Sequence, residues 1–142
     1  ILVHRLLKNA IVEDTGIALG RALKEAVGDG RGIARMGHAF VPLDETLAFT
    51  AVDFSGRGYA VIDADIGSSD LGGLSGDLVR HFLESMAREG GLNLHVRLIS
   101  GVNNHHKAEA IFKSLARSIR DAVEPDPRRG RQVPSTKGTI SE

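Results

Sequence analysis

The sequence predicts an α+β fold in which two similar β-β-β-α-β-α halves follow each other and the first half is incomplete. Two observations lead to this prediction. From residue 31 onward, apolar residues recur at strand and then at helix spacing, in the order β-β-β-α-β-α. An internal repeat also relates both helices of this unit to earlier segments of the chain. Such an order favours one sheet with two helices packed on one of its faces.

The strands of the complete half follow a glycine-rich turn at residues 28–32. Short runs of β-branched and aromatic residues, bounded by Gly, Ser and Asp, are typical of strands. We predict strands at residues 33–41, 46–54, 58–64 and 92–100. The sequence Ser-Gly-Arg-Gly at residues 55–58 predicts a hairpin-type connection between the second and third strands.

Three helices are predicted from apolar residues spaced three and four apart. The first covers residues 11–27. The second covers residues 77–90 and follows a Gly/Ser-rich loop at residues 67–76. The third covers residues 105–123, and Asn104 is its predicted N-cap.

The repeat pairs two early segments with the two helices of the complete half. Residues 11–27 match residues 107–123, and residues 1–10 match residues 78–87. The first copy lacks counterparts of the intervening turn, strand and histidine pair. We therefore predict three regions: residues 1–30 as a two-helix remnant of the first repeat, residues 31–123 as the second repeat, and residues 124–142 as a C-terminal phosphate-binding tail.

The junction between Ala10 and Ile11 is the place where the missing segment would stand. Either that segment is deleted from the protein, or it is a disordered stretch that the sequence omits. A first unit without a strand between its helices should pack poorly, so we favour the disordered stretch. We expect a break between these two residues, too wide for one peptide link of about 3.8 Å between Cα atoms.

Composition limits the class of protein. Lys and Arg together number 18, as do Asp and Glu, so the charge balance disfavours a nucleic-acid-binding surface. The absence of cysteine excludes a disulfide framework and thiolate metal sites. No apolar run is long enough to span a membrane, and no signal-peptide pattern opens the sequence. We expect a cytoplasmic protein without nucleic-acid or membrane partners.

The run Gly-Val-Asn-Asn-His-His-Lys-Ala-Glu at residues 101–109 places two imidazoles beside a carboxylate at the start of a helix. Residues three and four apart share a helix face, so His105 and Glu109 lie together with His106 beside them. Imidazole and carboxylate donors suit a divalent metal ion. The spacing alone leaves two interpretations open, a metal site and a solvated polar helix start.

Several segments resemble the imidazoleglycerol-phosphate dehydratase family of histidine biosynthesis. They are VEDTGIALGRALKEAVGDGRGIARMGHAFVPLDETLA, VDFSGRGYAV, HFLESMA, LNLHVRLISGVNNHHKAEAIFKSLARSIRDAVEPDPR and VPSTKG. The resemblance covers essentially the whole chain, as the family's C-terminal two-thirds. It implies a tandem pair of ribosomal protein S5 domain 2-like halves, in agreement with the internal repeat.

For activity, the resemblance implies a manganese-dependent hydro-lyase. It would remove water from D-erythro-imidazole-glycerol phosphate to give imidazole-acetol phosphate. The resemblance further implies two Mn²⁺ ions per active site, shared between subunits of a homo-oligomer whose trimers assemble with metal into an octahedral 24-mer. The alternative is a catalytically silent or metal-free assembly form of the same fold.

The resemblance also implies metal ligands. In the family, each half supplies a histidine on its first helix and a His-His-x-x-Glu run on its second. The first half of this chain departs from the motif, because Asn9 and Ala10 stand where its histidine pair is expected. A true deletion of that pair would impair both metal sites. The implied ligands are His4, Glu13, His81, His105, His106 and Glu109.

The phosphate of the substrate would be bound by cations and hydroxyls. By resemblance these are Arg35, Arg57, Lys113, Ser135 and Lys137. Without the family, Arg57 would be interpreted as a solvated turn residue, and the segment containing Ser135 and Lys137 as a disordered tail. Asp44 resembles an acidic residue that faces the substrate ring, a role that Glu109 could share. The proton-abstracting base stays open.

Overall fold

The computed structural model describes residues 2–67 and 71–140, with side chains from Leu7 onward. Within these residues it contains three helices and one four-stranded sheet, which confirms the α+β prediction. The helices are α1 (Leu2–Val27), α2 (Gly76–Gly90) and α3 (Asn104–Val123). The strands are β1 (Met36–Leu43), β2 (Thr46–Asp53), β3 (Tyr59–Asp63) and β4 (Asn93–Ser100).

The strands form a mixed sheet in the order β1-β2-β4-β3. β2 pairs with β1 and with β4 in antiparallel fashion, whereas β3 pairs with β4 in parallel. The predicted hairpin at residues 55–58 is therefore wrong, because β4 and not β3 lies beside β2. Leu94 and Val96 of β4 are almost fully buried, whereas β3 is short and alternates between exposed and half-buried residues. The more apolar strand occupies the inner position.

β1 begins at Met36 and not at residue 33, because Arg35 has a φ of 74° that lies outside strand geometry. The Arg35 side chain turns toward the end of β2, where its Nε lies 2.6 Å from Oδ1 of Asp53. Ile33 forms an isolated bridge with Pro125 instead. This departure from the strand brings the start of β1 to the chain that follows α3.

α2 and α3 cover one face of the sheet, as predicted. Residues of β2 alternate between buried and half-buried, as expected for a strand with one face on the core. α3 lies across β1 and β2, and α2 packs against β3. A hydroxyl contact joins the layers, since Oγ1 of Thr50 lies 2.7 Å from Oγ of Ser118. The buried core is aliphatic, with Val79, Leu83 and Ile111 fully enclosed.

α1 runs without interruption from Leu2 to Val27, so the break expected between Ala10 and Ile11 is not present. The region 1–30 accordingly contains one helix and not two. The physical reason is local: no Gly or Pro interrupts the first half of this segment, and Ala10, at the junction, has the highest helix propensity of all residues. The helix ends at Gly28, whose φ of 56° suits a helix C-terminus.

α1 packs against α2 through glycines. A Cβ atom on Gly16 would lie 2.7 Å from the carbonyl oxygen of Phe82, and one on Gly20 would lie 2.5 Å from that of Met86. Because contact positions advance in the same direction on both helices, α1 and α2 run parallel. Neither glycine leaves room for a side chain.

We expect Gly20→Leu to loosen the docking of α1, because the side chain would meet the backbone of α2. Overpacking of this kind costs about 1–3 kcal/mol. Urea unfolding would measure the loss of stability, and hydrogen exchange across α1 would locate it. Ala18→Leu, at an exposed position of the same helix, is the matched control and should shift stability by less than about 0.5 kcal/mol. Equal effects of the two substitutions would contradict the tight crossing.

Candidate functional site

The start of α3 is capped by Asn103. Its side-chain oxygen accepts hydrogen bonds from the backbone N–H groups of His105 and His106, at 2.9 and 3.2 Å. The prediction of Asn104 as the cap is wrong, because Asn103 is the residue with extended backbone and Asn104 is already helical. The cap fixes the backbone on which the two histidines stand.

His105 and Glu109 form a pair of donors on one face of this helix. Nε2 of His105 lies 3.2 Å from Oε2 of Glu109, and both side chains are accessible to solvent. Lys113, one turn further on, places its Nζ 2.7 Å from Oε1 of the same carboxylate. The hydrogen bond from Lys113, together with its charge, holds the pKa of Glu109 below its usual value. The carboxylate therefore stays ionised beside the imidazole.

His106 is held on a different partner. Its Nδ1 lies 2.9 Å from Oε2 of Glu45, in the turn between β1 and β2, and its Nε2 lies 3.8 Å from Oδ2 of Asp44. The hydrogen bond to Glu45 raises the pKa of His106. Hydrogen bonds from His106 and then from the backbone N–H groups of Asn103 and Val102 hold the pKa of Glu45 well below its usual value. The imidazole and the carboxylate thus stabilise each other.

Sequence reasoning missed Glu45. The residue is adjacent to Asp44 in the sequence, but its contact with His106 joins positions 61 residues apart. The sequence around a carboxylate in a tight turn does not indicate which distant residue the carboxylate will contact. Only the antiparallel pairing of β2 with β4, which leads directly into α3, brings the turn to the histidines.

The remaining predicted metal ligands lie on α1 and α2. Glu13 and His81 are both exposed. His4 belongs to α1 by its backbone, and its side chain lies outside the described residues. Within the described part of the chain, no group of three His, Asp or Glu side chains converges closely enough to hold a metal ion. The donor types fit a divalent cation, whereas the donors that the described residues bring together are too few to complete a site.

A second cluster surrounds a pocket of about 500 Å³ near the C-terminal end of α3. Cationic and hydroxyl side chains dominate its wall. Four of the predicted phosphate-binding residues lie there together, and Lys113, which pairs with Glu109, is not among the lining residues. The polar side chains of the wall belong to Arg35, Ser55, Arg57, Arg129, Ser135, Thr136, Lys137 and Thr139.

Arg35 has a structural task in this pocket. Its guanidinium donates to both carboxylate oxygens of Asp53, at 2.6 and 3.0 Å, and to the carbonyl oxygen of Pro134 at 2.6 Å. It therefore fastens the tail to the sheet, while Asp53 balances its charge. Ile140, further along the tail, is 7% exposed and lies against Gly30. With both of its ends held, the tail segment 134–140 presents Ser135 and Lys137 to the pocket.

Arg129 also lines the pocket and was missed by sequence reasoning. Its Nε lies 3.1 Å from Oδ2 of Asp126, which also pairs with Arg128. The hydrogen bond from Arg128 is the main cause that lowers the pKa of Asp126 to about 2. A run of arginines between prolines and glycines was a visible signal, but it did not indicate which arginine faces the pocket.

The two clusters lie at opposite ends of α3. The backbone N–H of Arg35 donates to the carbonyl oxygen of Ala122 over 2.7 Å, which places the pocket beside the last turn of the helix. His105 stands in the first turn. At 1.5 Å per residue, the two ends are about 25 Å apart. One small molecule therefore cannot contact both clusters of the same chain.

None of the helices in the described residues is both long and apolar enough to cross a membrane.

Comparisons with known proteins point to one family. The family model described as imidazoleglycerol-phosphate dehydratase matches residues 7–119. A relative from Dehalococcoides mccartyi with this name is 55% identical over 130 residues, and one from Dinoroseobacter shibae is 51% identical over 129 residues. The alignments cover 92% and 91% of this chain, and in both cases the chain spans 66% of the relative's length.

The chain is also similar to solved structures of the same family. The crystal structure of imidazoleglycerol-phosphate dehydratase from Staphylococcus aureus superposes with a TM-score of 0.80 at 36% identity, over 83% of this chain and 69% of that one. The enzyme from Pyrococcus furiosus, solved in complex with (S)-C348, also gives a TM-score of 0.80, at 35% identity, over 92% of this chain and 70% of that one.

Proposed function

Because the chain belongs to the imidazoleglycerol-phosphate dehydratase family, we propose that it acts in histidine biosynthesis as a hydro-lyase, converting D-erythro-imidazole-glycerol phosphate to imidazole-acetol phosphate. The observation that carries the proposal is the shared pocket of Arg57, Ser135 and Lys137, with Arg35 fastening the tail. Converging cations and hydroxyls suit the phosphate of such a substrate. A cytoplasmic location is part of the proposal.

The active site would be built from more than one subunit. The phosphate pocket and the histidines of one chain are about 25 Å apart, too far for a single small substrate. In a homo-oligomer, one substrate molecule can contact both clusters if the pocket of one chain faces the start of α3 in another. This geometric argument supports an assembly with shared sites, for which we propose trimers that join into an octahedral 24-mer.

We propose Mn²⁺ as the cofactor, with two ions per active site. His105, His106 and Glu109 would supply the ligands from α3, and His4, Glu13 and His81 those from α1 and α2. Neutral imidazole and ionised carboxylate are suitable donors for this ion. When bound, a divalent ion would polarise the imidazole ring of the substrate and ease loss of a proton from the adjacent carbon.

The chain's own residues would bind and orient the substrate. Arg57, Ser135 and Lys137 would hold the phosphate, so that the other end of the molecule reaches the histidines of a neighbouring subunit. Asp44 is 75% exposed at the β1–β2 turn and could accept a hydrogen bond from the substrate ring. Removal of the proton and of hydroxide from adjacent carbons gives an enol, which becomes the ketone by tautomerisation.

A second candidate function is a catalytically silent or weakened assembly subunit. Asn9 and Ala10 occupy the positions that correspond to His105 and His106 in the repeat, and they lie within an unbroken helix. Glu13 thus has no histidine pair one turn before it. This observation favours a chain whose first-half metal site is defective.

Turnover measurements separate the two candidates. We expect the purified chain to form the ketone product only with Mn²⁺ present and to lose this activity after chelation. The reason is that the histidines of α3 would act by holding the ion that polarises the substrate. Addition of Mn²⁺ after removal of the chelator should restore the activity. A folded oligomer that binds Mn²⁺ and forms no product would instead establish the silent assembly form.

A further inference from the structure

We propose that Glu45 is a positioning residue that fixes His106 in the tautomer protonated on Nδ1, and so leaves Nε2 free to bind a metal ion. The metal part of this inference rests on the proposed function. The tautomer is a property of the metal-free chain and can be measured separately.

The two carboxylate oxygens of Glu45 have different hydrogen-bond partners. Oε1 accepts hydrogen bonds from the backbone N–H groups of Val102 and Asn103, at 3.0 and 2.8 Å. The hydroxyl of Thr46 donates to the same oxygen over 3.1 Å. Oε2 lies 2.9 Å from Nδ1 of His106. Because an ionised carboxylate can only accept hydrogen bonds, Nδ1 of His106 must be the donor and carry the proton.

Both partners of this contact are held by other parts of the fold. The hydroxyl of Ser100, at the end of β4, donates to the backbone carbonyl of Glu45 over 3.1 Å. The side chain of Asn103 accepts from the backbone N–H of His106. The turn, the end of β4 and the start of α3 therefore fix the relative positions of carboxylate and imidazole. A histidine whose second ring N–H donates a hydrogen bond to a carboxylate is an oriented and more basic metal ligand.

Among the described residues, no side chain or backbone group is hydrogen-bonded to Nε2 of His106. Oδ2 of Asp44 is 3.8 Å from this nitrogen, beyond hydrogen-bond distance. The ring of His105 is centred 6.3 Å from that of His106. With Nδ1 protonated, the lone pair on Nε2 is available to an incoming cation.

Glu45→Gln tests this assignment with almost no change in shape. The two backbone N–H groups of Val102 and Asn103 require an oxygen, so the amide oxygen should stay on them. The amide NH₂ would then face Nδ1 of His106 and donate to it. We expect the variant to move the proton of His106 to Nε2, which blocks metal binding there.

The tautomer is read by nitrogen–proton correlation spectra of metal-free protein with ¹⁵N-labelled histidine, at about pH 9, above the ordinary histidine pKa of about 6.5. His106 signals are assigned by comparison with His106→Ala. Wild-type protein should show His106 protonated on Nδ1, and Glu45→Gln should show it protonated on Nε2. Calorimetric titration with Mn²⁺ alone should give about 10- to 100-fold weaker binding for the variant. Glu25→Gln, at an exposed position of α1, should leave both properties unchanged.

Wild-type protein with His106 protonated on Nε2 would overturn the inference, and this result does not depend on the folding of any variant at position 45. A folded Glu45→Gln protein with an unchanged tautomer and unchanged Mn²⁺ affinity would also overturn it. If the tautomers follow the expectation while wild-type protein binds no Mn²⁺, the positioning role stands and the proposed metal function fails.

Discussion

His105→Ala is expected to lower Mn²⁺ binding and turnover by more than about 100-fold, the upper range for loss of a residue that merely supports a metal ligand. The substitution removes an imidazole that lies 3.2 Å from Glu109 and leaves that carboxylate with Lys113 as its partner, without a second metal-type donor on that face of α3. The side chain is 70% exposed, so its removal should cost the fold little. Metal content after gel filtration and the rate of ketone formation are the two measurements.

His95→Ala is the matched control for this experiment. His95 is an exposed histidine of β4 and lies outside residues 101–109, so its loss should leave metal content and turnover unchanged. Retention of normal metal content and activity by His105→Ala would instead show that α3 begins with a solvated polar turn. His106→Ala should resemble His105→Ala, because we assign both imidazoles to the metal.

Local patterns predicted the helices well and the strand pairing poorly. The run of apolar residues three and four apart, which includes Ile111 and Leu115, predicted α3, because helix periodicity is a property of neighbouring residues. The position of β4 between β2 and β3 depends on which strand best fills the buried centre of the sheet. That competition takes place between segments far apart in the sequence, so residues 55–58 were wrongly interpreted as a hairpin.

The internal repeat related α1 to α3 and predicted a break between Ala10 and Ile11, whereas α1 is continuous from Leu2 to Val27. Similarity between two segments does not determine whether the chain between them is continuous. The comparison does explain an exposed face of α1: Leu19 and Ala26 correspond to Leu115 and Ala122 in α3. Leu19 is 43% exposed, whereas Leu115 is 4% exposed against the sheet. α1 thus carries the face of a helix that packs on a sheet, although among the described helices and strands it packs mainly on α2.

The sequence predicted which types of residue form the candidate site, but not which of them lie in each of the two clusters. The resemblance suggested one group of phosphate-binding residues, but Lys113 pairs with Glu109 in the N-terminal half of α3. The guanidinium of Arg35 donates hydrogen bonds to Asp53 and Pro134. These assignments depend on side-chain partners that come from separate elements, and the sequence pattern contains no information about such pairs.

Substitutions in the phosphate pocket are expected to raise the KM for the phosphorylated substrate about 10- to 100-fold. Arg57→Ala and Lys137→Ala each remove one cation from the pocket wall. A hydrogen bond to a charged group contributes about 1.5–3 kcal/mol, and 1.4 kcal/mol corresponds to a factor of ten in affinity. Because the phosphate is remote from the bonds that break, kcat should change much less than KM. Steady-state kinetics with Mn²⁺ saturating would measure both constants.

Arg128→Ala provides the control within the same tail. Arg128 is 89% exposed, pairs with Asp126 and is not among the residues that line the pocket. Its removal should leave KM unchanged, whereas a general effect of positive charge on substrate capture would raise KM for all three variants alike. An unchanged KM for both Arg57→Ala and Lys137→Ala would show that the pocket does not bind the phosphate. The proposed division of the active site between two subunits would then lose its support, because it depends on a phosphate bound about 25 Å from the histidines of the same chain.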